Sequence, residues 1–149
     1  MLLHLIGVDS AGHTFHSLHS EIERKIKDTE SIIEKIVEKM DDQTTLVVLG
    51  DHGMTPDGNH GGMTELEVRS ALFAYRKTPF PMYKHYSKPA LNGSFQDMDK
   101  TLKQLDVTPI VSSLMKQPVP FSNMGMIHPL FAPTSNLREV HQLAIQNLK

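Results

Sequence analysis

The sequence predicts an α/β fold with a mainly parallel sheet, and three successive segments predict it: an apolar run over residues 2–8, an amphipathic stretch over residues 18–40 and a second apolar run over residues 45–50. Strand, helix and strand in that order form a βαβ unit. Its right-handed crossover sets the two strands parallel, with their carboxyl ends at one edge of the sheet.

The first run is broken only by His4 and Gly7 and has the length of a buried strand rather than of a helix. The helix is read from Leu18, Ile22, Ile26, Ile32, Ile33, Ile36, Val37 and Met40, which recur on one face near a period of 3.6 residues. Ser20 followed by Glu23 has the pattern of a capping box, and Glu21/Lys25 and Glu23/Lys27 set opposite charges one turn apart. The second run, Thr-Leu-Val-Val-Leu-Gly, is β-branched and uncharged, as in strands covered by helices on both faces. Residues 51–64 are rich in Gly, Asp and His and read as a loop, and residues 70–75 as a third strand. Pro79, Pro81, Pro89 and Gly93 mark residues 78–100 as a long irregular segment. Residues 107–115 read as a short helix with Pro109 at its first position, ended before Pro118 and Pro120. Leu137, Val140, Leu143, Ala144 and Leu148 give residues 136–148 a helical spacing.

Composition narrows the function. A chain of 149 residues makes one domain, and 39% hydrophobic with 21% charged residues excludes collagen-like, low-complexity and wholly disordered classes. Fifteen Lys and Arg stand against 17 Asp and Glu, a net charge of -2, so no bulk attraction draws the chain to nucleic acid or an anionic membrane. With no cysteine there is no disulfide and no thiolate chemistry, and any metal must be held by His, Asp or Glu. No apolar run approaches the roughly 20 residues of a membrane span, and the first residues lack the basic start of a signal peptide.

Two clusters carry the chemistry. Gly7-Val8-Asp9-Ser10-Ala11-Gly12-His13 follows the first predicted strand and Gly50-Asp51-His52-Gly53 the second, so in a parallel sheet both face the carboxyl-edge crevice where open α/β sheets bind ligands. Asn59-His60-Gly61-Gly62 comes soon after. Taken singly, each of these is an ordinary turn or surface residue. Together, Asp9, His13, Asp51, His52 and His60 offer two carboxylates and three imidazoles, a donor set that suits zinc and the two-metal centres that act on phosphoryl groups. His16 and His19 read as helix-end polarity, His4 as a core histidine, and Met54, Met63, Met82 and Met98 as gap fillers.

Gly-Val-Asp-x-x-Gly-His over residues 7–13, Gly-Asp-His-Gly-Met-Thr over 50–55, Asn-His-Gly-Gly over 59–62, Glu65-Leu66-Glu67, Ser70-Ala71-Leu72-Phe73 and Pro118-Val119-Pro120-Phe121-Ser122-Asn123-Met124-Gly125 together resemble the GPI ethanolamine phosphate transferases of the alkaline phosphatase superfamily, the third type most of all. That resemblance implies a partial three-layer alkaline-phosphatase-like fold missing its N-terminal strands. Residues 1–127 would be the C-terminal part of the catalytic domain, and residues 128–149 a terminal helix leading toward a membrane region. It implies two Zn2+ ions, one held by Asp9, His13 and His60 and a second to which Asp51 and His52 belong. The family's threonine nucleophile and a further acidic ligand would lie upstream; Thr14, Thr29, Thr44, Thr45, Thr55 and Thr64 match no part of that motif. The implied reaction moves phosphoethanolamine from phosphatidylethanolamine to a mannose of the GPI glycan, at the lumenal side of the endoplasmic reticulum membrane and beside a membrane partner subunit. Two other readings stay open: a phosphodiesterase, sulfatase or mutase of the same superfamily, and a non-catalytic metal-binding domain.

Overall fold

The structure is a computed structural model and describes residues 1–80, 101–128, 131, 132, 136, 138, 139 and 142. The chain divides into two compact units, Met1–Lys77 and Thr78–Lys149.

In the first unit the elements run α1 (Gly7–Phe15), α2 (Ser20–Lys39), β1 (Leu46–Leu49), α3 (Glu65–Val68) and β2 (Leu72–Tyr75). The strand expected over residues 2–8 is not there. Residues 1–6 have no regular structure, and α1 begins at Gly7 and runs through the first motif. A strand exists only where a neighbour takes up its backbone N–H and C=O groups. Among the described residues the one strand pairing is β1 with β2, and Met1, Leu2 and Ile6 lie exposed. The chain instead closes a helical turn, with Ser10 N–H donating to the Ile6 carbonyl at 3.0 Å.

β1 and β2 are antiparallel, with Leu46 opposite Tyr75, Val47 opposite Ala74, Val48 opposite Phe73 and Leu49 opposite Leu72. The described residues are therefore mixed α/β, but they do not form the parallel sheet that the βαβ reading required. Nor are these strands covered on both faces, since Leu49 and Phe73 are exposed. Ile33 and Val37 of α2 and Phe73 and Tyr75 of β2 line an open groove.

α2 matches its expected span, but its cap differs. His19, not Ser20, is the cap residue, and its Nδ1 accepts from Glu21 N–H at 3.1 Å. Glu23 and Lys27 pair as expected at 2.7 Å, whereas Glu21 takes Arg24 instead of Lys25. Such exposed pairs are screened by solvent and add little to stability. Met40, next after α2, is buried, and its carbonyl accepts from the Lys77 ammonium.

In the second unit a 3-10 turn (Gln104–Asp106) runs into α4 (Val107–Leu114). Pro109 stands third in α4 rather than first, still within the turn whose N–H groups lack helical partners. Pro109, Ile110, Phe131 and Ala132 are buried, and Asp106 ties the start of α4 to Met126 by accepting its N–H at 2.8 Å. The irregular segment lies outside the described residues over 81–100, and so does most of the helix expected over 136–148, of which Arg138, Glu139 and Gln142 are helical, together with Met82 and Met98. His4 is exposed rather than in a core, and Met63 fills no gap, being 90% exposed.

Candidate metal centre

α1 is what brings the first two site residues together. Asp9 and His13 stand four apart on one helical face, Asp9 in the first turn where the helix dipole favours an anion and His13 in the last where it favours a cation. His13 Nε2 lies 3.4 Å from Asp9 Oδ1. The sequence reading placed both at a strand end; a helix performs that task instead.

The loop after β1 is laid against α1 by close backbone approach. A Cβ at buried Gly12 would stand 2.2 Å from Met54 Sδ, so the methionine fills the space that glycine leaves. Gly58, at φ +84°, sits where a Cβ would be 2.2 Å from the Gly12 carbonyl oxygen, and only glycine suits both the conformation and the contact. His16 and Ser17 complete the seam: His16 Nδ1 is 2.9 Å from the Asp57 carbonyl oxygen and Ser17 N–H donates to the Pro56 carbonyl at 3.3 Å. His16 and His19 thus serve the backbone at helix ends, as expected, and stand apart from the ligand set.

The seam delivers His60. Its Nε2 lies 3.0 Å from His13 Nε2 and 3.4 Å from Asp9 Oδ1. The three atoms form a triangle with edges of 3.0, 3.4 and 3.4 Å. A tetrahedral ion with ligand bonds of about 2.0–2.1 Å spaces its ligand atoms about 3.3–3.4 Å apart, so one ion fits this triangle. Asp9 Oδ1 is closed to solvent and has no hydrogen-bond partner. A carboxylate oxygen desolvated without a donor is costly, and a cation would remove that cost.

His52 joins on the other side. Its ring stacks on that of His60 at 3.8 Å, and a wider group of Asp9, His52 and His60 keeps its ligand atoms within 4.8 Å of one another. The triangle through His13 has edges of 3.0, 3.4 and 3.4 Å, close to a tetrahedral edge, so it is the set taken for a single ion. His52 Nδ1 lies 2.8 Å from the Gly53 carbonyl oxygen, which can only accept. In the neutral ring this contact places the proton on Nδ1 and leaves the Nε2 lone pair for a ligand. Asp51 Oδ2 is 3.7 Å from that Nε2.

One residue at the site was missed as a participant. The sequence singles out Glu67 only within a motif, yet it is buried, 8% exposed, and accepts from Gly62 N–H at 2.8 Å, Thr64 N–H at 3.2 Å and the Thr64 hydroxyl at 2.5 Å. The Thr64 hydroxyl above all, then the Gly62 amide, hold its carboxyl below the usual carboxylate range. The pattern Thr64-x-x-Glu67, a capping box that begins two residues after the His60-Gly61-Gly62 turn, is the available sign.

The sequence profile of the type I phosphodiesterase / nucleotide pyrophosphatase family matches residues 1–64, a span that holds all five predicted site residues. The catalytic subunit of GPI ethanolamine phosphate transferase 3 from Homo sapiens is 37% identical over 128 residues, 85% of this chain and 11% of the relative. Its Mus musculus counterpart is 35% identical over 147 residues, 97% of this chain and 12% of the relative. GPI ethanolamine phosphate transferase 3 of Saccharomyces cerevisiae is 36% identical over 126 residues, 84% of this chain and 12% of the relative. The chain thus spans little more than a tenth of the length of these relatives. No solved structure matches it. Over most of its own length the chain is a relative of the GPI ethanolamine phosphate transferases, the third type in particular, and over residues 1–64 it matches the type I phosphodiesterase / nucleotide pyrophosphatase family.

Proposed function

We propose that this chain supplies metal-binding machinery to a phosphoethanolamine transferase of GPI-anchor biosynthesis. The observation that carries this reading is the Asp9, His13 and His60 triangle, set in a chain that is 37% identical over 128 residues to a transferase of that name. Asp9 Oδ1, His13 Nε2 and His60 Nε2 would hold one Zn2+, and His52, with Asp51 beside it, would contribute to a second. Bound zinc supplies charge stabilisation for the oxygens of a transferring phosphoryl group. The chain's own residues fix the ligand geometry. α1 sets Asp9 and His13 one turn apart, and the Gly53 carbonyl orients the His52 ring.

In this reading residues 1–127 are the C-terminal part of the catalytic domain, and residues 128–149 lead toward a membrane region. Phosphatidylethanolamine is the donor, a mannose of the GPI glycolipid the acceptor, and a membrane subunit the partner. The setting is the lumenal face of the endoplasmic reticulum membrane. Among the described residues no helix is long and apolar enough to cross a membrane. The threonine nucleophile comes from sequence outside these residues.

A transfer assay tests the reading. The zinc-loaded chain, given the upstream region of a type 3 transferase in trans, is incubated with phosphatidylethanolamine and a mannosylated GPI acceptor. Transfer that disappears with His60→Ala is the expected result. Zinc binding without turnover in the complemented mixture contradicts it and favours a non-catalytic metal-binding domain. The phosphodiesterase profile over residues 1–64 favours a second outcome, release of free phosphoethanolamine without an acceptor, which the same assay separates by product.

A further inference from the structure

We infer that Glu67 is a positioning residue of the metal centre, its side chain holding the loop that carries His60 and its backbone carbonyl holding the turn that orients His52. The inference rests on the proposed reading of Asp9, His13 and His60 as metal ligands. Glu67 touches none of them directly in the contacts above.

A buried carboxylate is tolerated only when its oxygens are satisfied, and here both are. Oε1 accepts from Gly62 N–H at 2.8 Å, and Oε2 accepts from Thr64 N–H at 3.2 Å and from its hydroxyl at 2.5 Å. Gly62 lies two residues after His60, so these bonds anchor the exit of the His60 turn. A Cβ at residue 62 would stand 2.6 and 2.7 Å from the two carboxylate oxygens, so a side chain there makes the Glu67 carboxylate shift away from the Gly62 amide. At the other end of the same residue, the Glu67 carbonyl accepts from Gly53 N–H at 2.7 Å, and the Gly53 carbonyl oxygen lies 2.8 Å from His52 Nδ1. One short helix thus braces both imidazoles, whose rings stack at 3.8 Å. Outer groups that orient metal ligands typically change metal affinity by about 10–100-fold when removed, and the same range is expected here.

The test is zinc titration of the full chain as wild type, Glu67→Ala, Gly62→Ala, the double variant and Glu67→Gln. It is joined by amide hydrogen exchange on the metal-free proteins. Each alanine variant should weaken zinc by about 10–100-fold, and the double variant by no more than the worse single, because both break one contact. Glu67→Gln, which keeps one acceptor oxygen for three donors, should fall between wild type and Glu67→Ala. The Gly62 and Thr64 amides should exchange faster in metal-free Glu67→Ala while its far-UV circular dichroism is retained. If Glu67→Ala does not fold, Gly62→Ala, which removes no charge, carries the test. Zinc affinity within twofold of wild type in the folded variants, or losses that multiply in the double variant, overturns the inference. A wild-type chain that takes up no zinc overturns the ligand reading itself, and the exchange rates at Gly62 and Thr64 then show separately whether Glu67 holds the loop.

Discussion

Gly53→Ala should be among the most damaging single substitutions in the first unit. A Cβ at residue 53 would stand 2.0 Å from the Leu66 carbonyl oxygen, 2.5 Å from the Arg69 carbonyl oxygen and 3.0 Å from the Leu66 carbonyl carbon. All three are backbone atoms, so no side-chain rotation relieves the clash and the 50–54 loop must part from α3. That parting breaks the 2.7 Å bond from Gly53 N–H to the Glu67 carbonyl. The displacement costs about 1–3 kcal/mol as overpacking, and the lost bond about 1–3 kcal/mol more. Alanine's lower freedom in the unfolded chain returns about 0.4–1 kcal/mol. The net is a loss of about 1–6 kcal/mol, and near this chain length each kcal/mol moves Tm by about 2–4 °C. The thermal midpoint followed by circular dichroism should therefore drop by at least about 2 °C, and by about 10 °C at the middle of that range. Gly7→Ala is the matched control. Its Cβ would meet only Lys25 Cδ, at 3.5 Å, within α1, so it should leave Tm unchanged or raise it slightly. A Gly53→Ala protein melting within about 2 °C of wild type would refute the packing of the His52 turn against α3.

Other outcomes follow from the same geometry. Glu67, held below its ordinary value by the Thr64 hydroxyl and the Gly62 amide, stabilises the fold fully at pH above the unfolded glutamate range. That contribution is lost as pH falls through the depressed folded value, so Tm should decline on acidification below about pH 4.5, and Glu67→Gln should show a shallower acid limb in a pH series of melts. His19→Ala should cost about 0.5–2 kcal/mol by removing the α2 cap, and His19→Asp should recover it, since aspartate caps well and suits the helix dipole; denaturant titration reads both. His13→Ala should weaken zinc by about 100–1,000-fold, one ligand's share of a binding free energy of about 10–16 kcal/mol, and His52→Ala by less. Equal losses in competition titrations would move the first ion to the wider Asp9, His52 and His60 group.

What was legible in the sequence was legible through periodicity and chemistry. α2 was readable because its isoleucines keep one helical face over twenty residues, and the two short strands because runs of β-branched and aromatic residues sit between turn-formers. Residues 2–8 misled because apolarity over seven residues does not distinguish a strand from the entry to a helix, and pairing with a distant neighbour decides between them. Among the described residues no parallel pairing forms, since β1 pairs antiparallel with β2. Asp9, His13 and His60 converge although the element carrying the first two is a helix, because one helical turn places residues four apart as close as the predicted crevice would have. The cap of α2 and the role of Glu67 depended on which donors the folded chain presents, and a local pattern alone does not rank them.

The most direct measurement is anomalous diffraction at the zinc edge from crystals of the zinc-loaded chain. The account predicts a peak about 2.0–2.2 Å from Asp9 Oδ1, His13 Nε2 and His60 Nε2 together, absent in His60→Ala. Zinc bound away from these three atoms, or no peak in the wild type, would contradict it.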